Sequence, residues 1–102
     1  MFDGIDPQDT AECWVLREAA RIVRQGWCQG AVNYGDQFCT MGAMYYALRD
    51  EPDASLIVET VDRAIGRLLQ YVNYGGSIGG WNDTPGRTAE EVALALEAAA
   101  RS

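Results

Sequence analysis

Three cysteines, Cys13, Cys28 and Cys39, and the carboxylate of Asp83 in Trp81-Asn82-Asp83-Thr84-Pro85-Gly86-Arg87 are the residues whose types could do covalent or acid–base chemistry. A cysteine becomes a nucleophile as its thiolate, which needs a cationic neighbour or a helix amino terminus. The local sequence guarantees neither, so packing of reduced thiols is the expected state, with a Cys28–Cys39 bridge as the other possibility. Asp83 has the chemistry of a general acid or base, but an Asx residue ahead of Pro-Gly equally well hydrogen-bonds the backbone of a turn.

The chain contains no histidine. That removes Ser-His-Asp and Cys-His nucleophile systems, HExxH zinc motifs and imidazole proton shuttles. A zinc site would rest on three scattered cysteines plus a carboxylate, whereas structural sites pair close cysteines or use histidine. Neither a metal nor a cofactor is expected. Gly75-Gly76-Ser77-Ile78-Gly79-Gly80 has no lysine after it and no strand before it, so it meets neither phosphate-binding fingerprint.

Recognition is the stronger chemical theme. Trp27 and Gln29 in one glycine-flanked loop, and Trp81, Asn82, Asp83 and Arg87 in a second, would form a polar and aromatic patch if the two loops meet at one end of a helical bundle. Tryptophan and arginine are enriched at binding hot spots. The structural alternative is that Trp27, in phase with the first helix's apolar stripe, belongs to the core, and that Asn82 and Asp83 serve a turn.

Charge narrows the partners. The formal net charge is −7, with eight arginines as the only cationic side chains. Direct nucleic-acid or anionic-membrane binding is not expected, because both need clustered positive charge. An acidic DNA mimic is an alternative, with Asp3, Asp6, Asp9 and Glu12 recurring every three residues, but Arg17, Arg21, Arg24, Arg63 and Arg67 interleave with acids elsewhere. No apolar run approaches the ~20 residues of a membrane span, and Met1-Phe2-Asp3-Gly4-Ile5-Asp6 lacks a signal peptide's basic flank. The cytoplasm is therefore the expected compartment. Abundant arginine without lysine points to a GC-rich coding sequence.

The elements that must position these residues are helices. At 102 residues and 48% hydrophobic, the chain is sized for one domain with a modest core. A first helix is expected from about Asp6-Pro7, with Cys13, Leu16, Ala20, Val23 and Trp27 in its stripe and Gly26 as a C′ glycine. Residues 26–36 read as loop. A short second helix would bury Phe38, Met41, Met44 or Tyr45, and Leu48, use Gly42-Ala43 for a close crossing, and stop at Pro52. Asp53 caps a long third helix with Ile57, Val61, Ala64, Ile65, Leu68 and Val72 on one face. Residues 73–86 read as a glycine-dense loop, and Thr88-Ala89-Glu90-Glu91 as the capping box of the last helix. No strand pattern is evident. The expected architecture is all-α, a compact irregular or orthogonal bundle of about four helices with two Trp- and Gly-containing loops.

Gly26-Trp27-Cys28-Gln29-Gly30, Cys39 with Gly42-Ala43, and Trp81-Asn82-Asp83 followed by Pro85-Gly86-Arg87-Thr88 together resemble the DUF6197 type of small proteins found in actinobacteria and their phages. The resemblance covers nearly the whole chain and implies a similar fold and origin. It carries no activity and no functional residues. The expected function is that of a small accessory protein that binds another protein, or itself, through its Trp and Gly loops; a small enzyme using Asp83 or a cysteine, and a DNA mimic, are the alternatives.

Overall fold

A computed structural model of the chain describes residues 10–102. Helix α1 (Ala11–Gln25) starts at Thr10, whose hydroxyl accepts the Cys13 N–H at 3.3 Å. The cap expected at Asp6 and the first-turn Pro7 lie outside the described residues. Val15, Leu16, Ala19, Ala20, Ile22 and Val23 are buried along α1, as spacings of 3 and 4 require of one apolar face. Gly26 ends the helix, but in an extended conformation (φ −179°, ψ 116°) rather than as a left-handed C′ glycine. Glycine is needed there for proximity, since a Cβ would lie 2.8 Å from the Asp36 carbonyl oxygen.

Residues 26–36 are not a plain loop. β1 (Asn33–Tyr34) and β2 (Gln37–Phe38) pair antiparallel, Asn33 with Phe38 and Tyr34 with Gln37. Trp27 forms an isolated parallel bridge to Phe38. Two-residue strands are too short to show alternation, which is why sequence patterning misses them; the Gly35-Asp36 dipeptide between Tyr34 and Gln37 is the one hairpin signal available.

Helix α2 (Thr40–Ala47) begins two residues later than Phe38, with Cys39 as N-cap accepting from Gly42 N–H. It buries Gly42, Ala43, Met44 and Ala47, with Leu48 following, whereas Phe38 is only half-buried and Tyr45 is exposed. The close approach expected at Gly42 is to the hairpin segment rather than to a helix: a Cβ on Gly42 would stand 2.2 Å from the Val32 carbonyl oxygen. Helix α3 (Ala54–Val72) is capped by Asp53, as expected, and ends at Asn73 in a left-handed conformation.

The glycine-dense stretch holds one further helix, α4 (Ile78–Asn82), capped by Ser77. Its glycines make room for a ring, because a Cβ on Gly76 or Gly80 would come within 2.8 and 2.9 Å of Tyr74. Helix α5 (Ala89–Arg101) starts at Thr88, which accepts from Glu91 N–H.

The result is a mostly helical compact globule with a small hairpin added to the expected class. Helix α1 lies at its centre, packed against α5, α2 and α3. Leu16, Met44, Leu48, Val61, Leu68, Val92 and Leu96 are fully buried, each contributing about 1.5–3 kcal/mol by leaving water. Ala19, Ala20, Ala93 and Ala99 are buried as well, and such small side chains let helices approach closely. Outside the core, Arg24 bridges α1 to Glu90 and Glu97 of α5, and Arg67 of α3 donates to the Ala99 carbonyl at 2.8 Å. No helix among the described residues is long and apolar enough to cross a membrane.

Candidate functional site

The two tryptophan-bearing segments do meet, although Trp81 and Asn82 stand in α4 rather than in the loop expected there, and a single amide joins them. Asn82, at the end of α4, is 1% exposed. Its Oδ1 accepts from Trp27 Nε1 at 2.8 Å, from Thr40 N–H at 2.9 Å and from the Thr40 hydroxyl at 2.7 Å. Its Nδ2 donates to the Cys28 carbonyl at 3.1 Å and to Asp83 Oδ1 at 2.9 Å. One side chain thus ties together the end of α1, the start of α2 and α4.

The rest of the predicted patch surrounds this hub. Gln29 Nε2 donates to the carbonyls of Asn82 and Thr84 at 3.0 and 3.1 Å. Asp83 Oδ1 also accepts Gly30 N–H at 3.0 Å. The Asp83 carboxyl is held below its ordinary range first by the Asn82 amide and then by Gly30 N–H, since both donors favour the ionised form. Arg87 Nε donates to the Trp81 carbonyl at 2.7 Å, and its guanidinium lies over the Trp81 ring, 4.4 Å from the centroid.

This geometry assigns the six residues different work. Trp81 is 3% exposed and packs in the core, with Arg87 covering one face of its ring. Trp27 is half-buried and lies beyond the end of α1, so its place in the helix stripe gives way to the Phe38 bridge. Gln29 and Asp83 are exposed at the rim. The patch is largely a latch whose polar groups satisfy one another, with Asp83 and Gln29 facing water.

Beside the latch lies a cavity of about 190 Å³ between Val32, Met41 and Ile78, with Cys39 and Asp83 at its edge. That is smaller than the roughly 300–1,000 Å³ of a site for a drug-sized ligand and suits one inserted side chain. Cys13 and Cys39 are buried, Cys28 is half-buried, and all three are free thiols. Burial, with smaller electrostatic contributions from the neighbouring Cys39 and Asp83, pushes the Cys28 thiol up. Among the described residues, no group of three or more Cys, Asp or Glu is placed to hold a metal ion.

Two features were missed by sequence reasoning. Thr40 supplies two of the donors to the Asn82 amide, yet a threonine after a cysteine carries no distinguishing mark. Tyr34 stands 76% exposed on the hairpin, and the Gly35-Asp36 turn beside it was the available sign. Val32 is also exposed. On α2, Tyr45 and Tyr46 are exposed; the Tyr46 ring stacks on Phe38 at 4.6 Å between centroids and lies under Arg49 at 4.3 Å.

Fold and site together define a small helical protein in which one buried asparagine ties the segments on either side of a small hairpin to α4. The chain belongs to DUF6197, a family of unknown function, which matches residues 7–102. No curated protein and no solved structure matches it.

Proposed function

We propose that this protein is a protein-interaction module that presents the Tyr34 hairpin to a partner, with the Asn82 latch as the device that holds the hairpin in place. The observation that carries the reading is the exposure of Tyr34, at 76%, on a two-strand hairpin fixed at its base by the Trp27–Phe38 bridge and the contact of Val32 with Gly42. A large ring on a rigid support is an effective anchor, because little conformational entropy is lost when it docks. Tyr45 and Tyr46 on α2 extend the aromatic surface. The net charge of −7 favours a partner whose surface is basic around an apolar pocket, with association that slows as salt is added.

Enzymatic use of Asp83 is less well supported, because its Oδ1 is committed to the Asn82 amide and Gly30 N–H. DNA mimicry is less well supported, because among the described residues acids pair with arginines, Glu18 with Arg21, Glu90 and Glu97 with Arg24, Glu12 and Glu59 with Arg63; Asp3, Asp6 and Asp9 of the repeating acidic run lie outside the described residues. Lysine-free composition fits an actinobacterial or phage source, and a cytoplasmic accessory role is the corresponding setting.

The test is affinity capture from actinobacterial lysate with the native chain, Tyr34→Ala and, as a surface control on α3, Tyr71→Ala. One partner kept by the native and Tyr71→Ala chains and lost by folded Tyr34→Ala is the expected result. Retention of every partner by Tyr34→Ala overturns the hairpin reading. Sedimentation of the same three proteins detects the self-association form, in which only Tyr34→Ala becomes monomeric.

A further inference from the structure

The two cysteines nearest the latch are placed side by side by the backbone. Phe38 N–H donates to the Gly26 carbonyl at 3.0 Å and Cys28 N–H donates to the Phe38 carbonyl at 3.2 Å, the hydrogen-bond pair that makes Trp27 and Phe38 a parallel bridge. The next residue on each segment is a cysteine, Cys28 on one and Cys39 on the other. Paired segments run about 4.8 Å apart, and residues one step past a bridged pair share the opposite face of the pleat. Disulfides form across Cα separations of about 4.4–6.8 Å. The Asn82 amide holds the same two segments a second time, accepting from Thr40 N–H at 2.9 Å, next to Cys39, and donating to the Cys28 carbonyl at 3.1 Å.

From this arrangement we propose that Cys28 and Cys39 are a redox-active dithiol, oxidised by a hydroperoxide to an intramolecular disulfide that closes the hairpin segment and reopened by a thiol reductant. The influence of Cys39 and Asp83 on the Cys28 thiol agrees with close spacing. Cys13 is excluded from the pair by the length of α1. It sits in the first turn of that helix, roughly 20 Å from the Trp27 end at 1.5 Å per residue.

Cys28 is the half-buried member and Cys39 the buried one, so the peroxide meets Cys28. Its thiolate attacks the O–O bond, giving a sulfenic acid and hydroxide, which takes up the proton released by the thiol. The Cys39 sulfur then displaces the sulfenic oxygen, which leaves as water with the Cys39 proton. The two thiols lose two electrons and two protons, and one hydrogen peroxide becomes two waters. Because the Cys28 thiol is pushed up, the rate climbs with pH through the alkaline range as its thiolate fraction grows.

The experiment treats the reduced full chain with hydrogen peroxide and maps peptides without reduction. The expected product is a monomer lighter by two hydrogens, with Cys28 linked to Cys39 and Cys13 still a thiol, returned to three thiols by dithiothreitol. Run in urea, the same oxidation loses its selectivity if the fold imposes the pairing. Cys39→Ser keeps the helix cap, because serine caps well, and is expected to stop at a Cys28 sulfenic acid trapped by dimedone. A crosslink to Cys13, overoxidised Cys28 without a crosslink in the native chain, or equal pairing in native and urea-treated chains overturns the proposal.

Discussion

Trp27 Nε1 donates to Asn82 Oδ1 at 2.8 Å, across 55 positions of sequence and between two segments that contain no long helix. The contact makes the hairpin part of the bundle. The indole also brings apolar surface to the core's edge, so one residue both packs and reports the position of α4.

Asn82→Ala should therefore be among the most damaging single changes. It strips partners from the half-buried Trp27 Nε1 and Cys28 carbonyl and from the buried Thr40 N–H and hydroxyl. Each unsatisfied buried group costs about 1–3 kcal/mol, and some relaxation follows, so a loss of about 3 kcal/mol is expected in urea denaturation. A loss below about 1 kcal/mol, within the usual range for surface substitutions, would show that water replaces the latch.

Two glycine-to-alanine changes should have opposite signs. In α2, Gly42→Ala places a methyl 2.2 Å from the Val32 carbonyl oxygen, and the strain of about 1–3 kcal/mol outweighs the helix propensity gained. In α3, a Cβ on Gly66 meets nothing within 4 Å, so Gly66→Ala should stabilise by about 0.5–1 kcal/mol. Paired thermal melts would check both.

Acid should loosen the latch through Asp83. Its folded pKa is depressed by the Asn82 amide and Gly30 N–H, so its contribution is fully present above the unfolded value of about 3.9 and is lost as pH falls through the lower folded value. Because the carboxylate is exposed, the effect is small. Denaturation midpoints taken downward from pH 7 should fall more steeply below pH ~4 for the native chain than for Asp83→Asn, which keeps an acceptor without the charge. Identical slopes would remove Asp83 from the latch.

Thr60 offers a stabilising change. Its hydroxyl is buried in α3 without a hydrogen-bond partner among the described residues, and Thr60→Val keeps the branched shape while removing the polar atom. A gain of about 1 kcal/mol is expected from chemical denaturation; a loss would mean that the hydroxyl is satisfied by a bound water.

The sequence by itself determined the four longer helices in outline and the caps of two of them. Asp53 and Thr88 cap where they were expected to, and the apolar stripe of α1 is buried as its spacing predicted, because capping and 3.6-residue periodicity are local and repeat over many residues. The residues of the patch were legible too, through their types. What they do with one another was decided by tertiary structure. Two-residue strands have no period, a five-residue helix inside a glycine-rich stretch has no stripe, and Gly42 reads as a helix crossing until the Val32 carbonyl is found against it. Only folding brings Trp27, Thr40 and Asn82 to one amide, since hydrogen bonds across 55 and 42 positions leave no trace in the order of the residues that make them.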